Sequence, residues 1–211
     1  MADGLFFVYS EPGPVPEDEF NDWYDTEHVP ARLAVPGFSH VRRFRAADGE
    51  VPSWLATYDI APGTLDSPGY LALAGLASAR EKSIMSSLAT LERRVYEPLS
   101  DSAPGWLGGA PPVVLAVSLS VPPPAEADLA AWYDDEHIPM LLAVPGWRRI
   151  RRYRLTAGTA PSYLALHDVA SMAVFDDPAY LAAVSTPWRN RIMAASTGVE
   201  RRVFRLYKAF G

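Results

Sequence analysis

The sequence predicts an α+β protein made of two βαββαβ repeats, each a four-stranded antiparallel sheet with both helices on one face. Three observations predict it. The phrase WYDTEHVPARLAVPGF, from Trp23, returns 109 positions later as WYDDEHIPMLLAVPGW, from Trp132. Other blocks recur in the same order: VRRFR with IRRYR, SWLATYDIA with SYLALHDVA, DSPGYL with DDPAYL, and LERRVYEPL with VERRVFRLY. Within each repeat the hydrophobic period switches in a regular sequence between strand and helix. A repeat of roughly 100 residues is a small domain and too long for a solenoid unit. The expected division is residues 1–100, a Gly/Pro-rich joint over 101–112 (DSAPGWLGGAPP), and residues 113–211.

The elements follow in order. Leu5 to Tyr9 is a short apolar, aromatic strand, matched by Val113 to Leu119. Glu17 to Thr26 reads as a helix, with acidic residues in the first turn where the helix dipole favours them. Pro30 lacks an amide hydrogen and disfavours helix before it, so the helix is expected to kink or stop near His28-Val29. Pro139 does the same beside His137. Phe38 to Arg45 and Trp54 to Ile60 form a hairpin through Asp48-Gly49. Asp66-Ser67-Pro68 starts a helix that runs in pieces to about Leu88. Leu91 to Tyr96 closes the repeat as a strand.

Composition narrows the function classes. Hydrophobic residues make up 49% and charged residues 21%, ordinary for a globular protein. Net charge is −6, and no Lys/Arg run forms a basic arm, which argues against nucleic acid as a partner. With no cysteine there is no disulfide, thiolate metal site, iron–sulfur cluster or cysteine nucleophile. The N-terminus lacks the basic start and long apolar core of a secretory signal, and no apolar stretch reaches a membrane span, so a cytoplasmic protein without membrane contact is expected.

The element order, with W-Y-D-x-E-H-[VI]-P followed by L-A-V-P-G-[FW], resembles the dimeric α/β-barrel superfamily, and within it the EthD-like proteins. The resemblance implies ferredoxin-like units pairing sheet to sheet, here as a tandem duplication forming a pseudo-dimeric α/β barrel. Most members are single-repeat homodimers. Pairing of the two repeats within the chain is therefore expected, and a further homodimer is left open. The superfamily hosts cofactor-free monooxygenases, polyketide cyclases, lactone isomerases, dehydratases, lyases and haem proteins, so fold alone does not choose. In EthD-like relatives the segment that bears the histidine is implied to line the cleft between helices and sheet.

The repeated phrase supplies the candidate site. On a helix Phe20, Tyr24 and His28 share a face, and Asp25, three before His28, can meet the imidazole. Tyr133 and His137 align in the same way, with Asp134 three before the histidine. A histidine at a broken helix end beside carboxylates is a candidate general base or acid. His28, His137, Asp25 and Asp134 are therefore the expected catalytic residues. Tyr24, Tyr133, Trp23, Trp132, Glu27, Glu136, Tyr58 and His167 are the expected substrate-binding residues. The competing reading has Trp23 and Trp132 as core and the carboxylates paired with the strand arginines Arg42, Arg43, Arg151 and Arg152. The repeats differ where Tyr58 matches His167 and His40 matches Arg149; alternation leaves the face of His167 open, and His40 is expected at the surface.

No metal is expected, because a zinc helix spaces two histidines at i, i+4 and each phrase has one. No G-x-S-x-G, G-x-G-x-x-G or phosphate loop is present. The expectation is an enzyme without organic cofactor, acting on an apolar, aromatic or polyketide-like small molecule by His-mediated proton transfer. Cyclase, dehydratase, isomerase and cofactor-free monooxygenase chemistry all fit. Phe6, Phe44, Trp54, Trp147, Tyr153 and Tyr163 join the motif aromatics as candidate cleft walls. The alternative is a non-catalytic carrier for a hydrophobic small molecule. A haem protein is a third reading, without a further histidine that stands out as axial ligand.

Overall fold

A computed structural model describes residues 4–106 and 108–211. Met1 to Asp3, part of the N-terminal segment read above, and Leu107, within the expected joint, lie outside the described residues. The chain is mixed α+β. Its strands hydrogen-bond in the order β1-β3-β2-β8-β5-β7-β6-β4, a closed eight-stranded antiparallel barrel. These strands are β1 (Gly4–Glu11), β2 (Phe38–Ala46), β3 (Trp54–Ile60), β4 (Thr90–Asp101), β5 (Val113–Ser120), β6 (Trp147–Ala157), β7 (Tyr163–Val169) and β8 (Thr197–Phe210). β4 runs past the expected end at Tyr96, so Asp101 is strand. No helix among the described residues is long and apolar enough to cross a membrane.

Two compact units divide the chain. The first holds residues up to Glu97 with Thr156–Gly158 and Tyr207–Gly211; the second holds Pro98–Leu155 and Thr159–Leu206.

In the first unit β1 is buried at every residue from Leu5 to Ser10, so both its faces are covered, and Leu5 to Tyr9 is a continuous apolar and aromatic run. Phe6 pairs with Tyr58 and Val8 with Ala56, and these four residues share the cluster that packs beneath the helices. Helix α1 (Glu17–Trp23) begins after Pro16 with three acidic residues and buries Phe20 and Trp23. Of the kink or stop expected near His28-Val29, the stop does not occur; the helix is distorted there and continues. Tyr24–His28 winds as a π-helix, with Val29 N–H donating to the Tyr24 carbonyl, and passes directly into α2 (Val29–Leu33). The added residue widens the turn just where the Pro30 ring would otherwise press on the preceding turn. His28 therefore sits inside a continuous helical segment and not at the broken helix end expected for it. Helices α3 (Pro68–Leu76) and α4 (Ala79–Ser87) are the expected pieces, N-capped by Ser67 and Ser78.

The second unit repeats this order. It has α5 (Glu126–Trp132), a π-helix over Tyr133–His137, α6 (Ile138–Leu142), α7 (Pro178–Ala183) and α8 (Pro187–Ala195). β7 is buried at every residue after Tyr163, which is why alternation could not orient His167.

Candidate functional site

The π-turn fixes where each residue of the repeated phrase goes. Asp25 does not meet His28. It binds Arg43 of β2 and accepts from Lys208 Nζ at 3.0 Å. In the second unit Asp134 accepts from Arg152 of β6 at 2.9 Å and likewise leaves its histidine. The i, i+3 alignment expected from α-helical spacing is lost because the wider turn rotates residue i+3 away from residue i. Glu27 accepts from Ser78 Oγ at 2.7 Å and from Arg80 at 3.1 Å. Glu136 accepts from Thr186 Oγ1 at 2.6 Å and from Trp132 Nε1 at 3.1 Å. Thus each aspartate ties its π-turn to a strand arginine, and each glutamate ties it to the N-cap of the helix before the last strand of its unit.

The two aspartates differ in burial, which gives a stability prediction. The Asp25 carboxylate is 9% exposed and its Arg43 guanidinium 1%, whereas the Asp134 side chain is 60% exposed. Arg43 lies 4.1 Å from the Tyr24 ring centroid and donates to Asn21 at 2.6 Å. Asp25→Asn leaves a buried cation short of its counter-charge, so about 3 kcal/mol of stability is expected to be lost. Asp134→Asn is expected to lose less than about 1 kcal/mol. Urea denaturation of both variants checks this; equal losses would show that burial does not set the value of the pair.

In the first unit His28 lines a cavity of about 20 Å³ with Tyr24, Tyr58, Trp23 and Phe6. That is room for about one water. His28 Nδ1 lies 3.2 Å from Glu81 Oε1, and Arg32 donates to the same oxygen at 2.9 Å. Glu81 sits at the third position after the Ser78 cap of α4. Burial holds the His28 pKa down at about 4 against the opposing pull of Glu81. The bonds to His28 and Arg32 outweigh partial burial and hold Glu81 at about 2. A neutral imidazole beside a carboxylate must donate from Nδ1, so its tautomer is set. Tyr24 and Tyr58 hydroxyls lie 2.8 Å apart, both held protonated by burial. Their mutual bond uses one hydroxyl proton and leaves the other.

The cavity beside His137 in the second unit, about 90 Å³, is larger than the one beside His28 and is lined mostly by apolar side chains. His137 stacks on Trp132 with centroids 4.2 Å apart. Burial, aided by nearby Arg189, lowers its pKa to about 4; a bond to the Ala183 backbone pulls the other way. His137 Nδ1 is buried without a hydrogen-bond partner. His167 lines the same cavity and its Nδ1 also lacks a partner; burial, His137 and Arg201 push its pKa well below the usual value. Tyr133 completes the wall, its phenol pushed up to about 12 by burial and therefore protonated.

Of the other aromatics expected in a cleft, Trp147 lines the second cavity, while Phe44, Trp54, Tyr153 and Tyr163 line neither. These four are spent on packing: Trp54, for example, lies edge-on to Tyr207 with centroids 4.9 Å apart. His40 is exposed, 3.6 Å from Asp59. Sequence reasoning missed Glu81 and Arg32 in the first unit, and Arg189 and Arg201 in the second. The spacing Ser78-x-x-Glu81 marks a helix start and could have drawn notice. Nothing local points from Glu81 to a histidine 53 residues away. Among the described residues no three His, Asp or Glu side chains gather as a metal-binding set.

Comparison with solved structures shows the ferredoxin-like dimeric α/β-barrel fold. An anthrone oxidase-like protein superposes with a TM-score of 0.68 at 13% identity, over 98% of this chain and 92% of its own. A candidate monooxygenase from Fusobacterium nucleatum subsp. nucleatum gives 0.61 at 8%, over 98% and 93%. A candidate chlorite dismutase gives 0.61 at 16%, over 99% and 96%. At these identities the likeness is one of fold. No protein-family model and no curated protein sequence matches the chain.

Proposed function

We propose that the protein is a small-molecule enzyme that moves a proton to and from an apolar, aromatic or polyketide-like carbon acid, with His137 as the base. The observation that carries this is His137, which lines an apolar cavity of about 90 Å³ and whose buried Nδ1 has no hydrogen-bond partner. A base must be neutral to accept, and this imidazole is neutral throughout the physiological range. The C–H bond breaks, its proton goes to Nδ1, and its electron pair delocalises onto a substrate oxygen. Tyr133, held protonated, donates to that oxygen, and the apolar walls keep water from competing. Return of the proton to another carbon gives isomerisation. Loss of hydroxide as water gives dehydration, attack on an internal carbonyl gives cyclisation, and reaction with O₂ gives oxygenation. No organic cofactor enters the first step.

The tandem duplication, the EthD-like relationship and a cytoplasmic location belong to the same reading, supported by the repeated W-Y-D-x-E-H-[VI]-P phrase and the absence of cysteine. In the first unit the cavity holds about one water and His28 is tied to Glu81, so the reading places turnover in the second unit. Asp25 and Asp134 then act by positioning the π-turns. Trp132 orients the His137 ring by stacking.

The test is deuterium uptake from D₂O at the acidic carbon of two aromatic carbon acids, 2-tetralone and anthrone, followed by mass spectrometry without oxygen. Anthrone is chosen because an anthrone oxidase-like protein shares the fold. Wild-type protein is expected to accelerate exchange of at least one of them above buffer. Unchanged exchange in His137→Gln would sink the assignment of the base.

A further inference from the structure

Resting on the proposed proton-transfer site, we infer that the second unit's cavity takes an apolar ligand bearing a carboxylate, and that Arg189 recognises it. The chain carries a net charge of −6, yet this cavity is lined by two guanidinium groups, Arg189 and Arg201, and by no carboxylate. Arg189 is half-buried and has no ion-pair partner among the described residues. Arg201 donates to the Tyr180 hydroxyl at 3.4 Å, a long and weak bond.

Position sharpens this. Arg189 is the third residue after its helix cap, Thr186, and its amide donates to the cap hydroxyl at 3.1 Å. Glu81 occupies the same place after Ser78 in the first unit, with its amide on the cap hydroxyl at 3.0 Å. A carboxylate that satisfies a histidine in one unit is thus replaced by a cation beside the histidine in the other. Leu141 stands where the first unit has Arg32, so the new cation has not simply exchanged partners.

One unsatisfied polar atom points the same way. Trp147 lines the cavity, and its Nε1–H is a buried donor without an acceptor. A ligand carboxylate supplies acceptors to Trp147 and Arg189 in a setting where the guanidinium fork fits it in two places at once. The apolar remainder of the ligand fills the walls of Leu115, Val117 and Leu119.

The experiment is calorimetric titration of the full chain with benzoate and with its neutral isostere benzamide. Benzoate is expected to bind at least tenfold more tightly. Arg189→Gln is expected to remove that preference while leaving benzamide unchanged, and Arg189→Glu, which installs the first unit's residue, to abolish benzoate binding. Equal binding of the two probes, binding of neither, or a benzoate preference untouched in both Arg189 variants would overturn the inference. The outcome is separable from that of the catalytic reading. Lost anion preference with His137-dependent exchange intact removes only the carboxylate; anion preference with exchange indifferent to His137 removes only the base.

Discussion

His137→Gln is expected to slow enzyme-dependent deuterium exchange by 10²- to 10⁴-fold, the usual contribution of a positioned general base. Glutamine keeps the side-chain bulk and a polar end that can still reach the Ala183 carbonyl. It has no lone pair basic enough to take a proton. The native imidazole is poised by competition. Burial holds its pKa near 4, so at pH 7 it is fully neutral but a weak acceptor. The proton transfer creates an imidazolium beside Arg189, which is costly alone. It becomes affordable only as negative charge develops on the substrate beside the same arginine, which ties the base's strength to the substrate's own ionisation. The corresponding His28→Gln variant is expected to keep exchange within about twofold of wild type, a margin far smaller than the effect of losing a general base. Exchange rates of both variants, with circular dichroism to confirm folding, decide the matter. A large loss in His28→Gln alone would move the reaction to the first unit.

Acid should destabilise this protein well above the range in which carboxylates titrate. His28 and His137 are each lowered from the usual 6.5 to about 4, and His167 lies lower still. Between those values the unfolded chain binds protons that the folded chain refuses, so stability falls as pH falls. Each of the first two histidines is worth about 3 kcal/mol when fully protonated in the unfolded state. Burial sets most of the effect, and charged neighbours adjust it. Arg32, Arg93 and Glu81 face His28, and Arg189 faces His137. Glu81, lowered to about 2, adds a further loss below about pH 4.5. The combined loss is comparable with the whole stability of an ordinary domain. Urea midpoints measured between pH 7.5 and 4.5 are expected to drop steadily across that window. The slope should be shallower in His137→Gln. A flat profile would mean that the imidazoles are solvated when protonated.

Much of the architecture could be read from the chain because it rests on local rules. Hairpin turns, serine and aspartate caps and the switch of hydrophobic period all act over a few residues, as at Ser67-Pro68 and Asp48-Gly49. The repeated phrase also led to the histidines that border both cavities. What could not be read depends on departures from regular geometry and on distance. Pro30 was a sound reason to end a helix; the chain instead widened the turn and continued. That one change undid the expected pairing of Asp25 with His28, because an i, i+3 rule holds only for an α-helical turn. Glu81 and Arg189 reach the histidines from helices about 50 residues away, where no periodicity connects them. His167 could not be oriented because β7 is buried on both faces, which erases the alternation that normally tells them apart.

The π-turn makes chain length, and not only residue identity, a condition of the site. Each residue of an α-helix advances the chain by about 100° around its axis. Removing one residue between Trp132 and Pro139 would therefore restore a regular winding and turn the segment that follows by more than a quarter of a revolution. His137 would leave the cavity wall, and the proline ring would press into the turn before it. A deletion that spares every side chain discussed above would thus be more damaging than substitution of most of them. Sequences sharing this site should tolerate exchanges within the phrase far more readily than gaps.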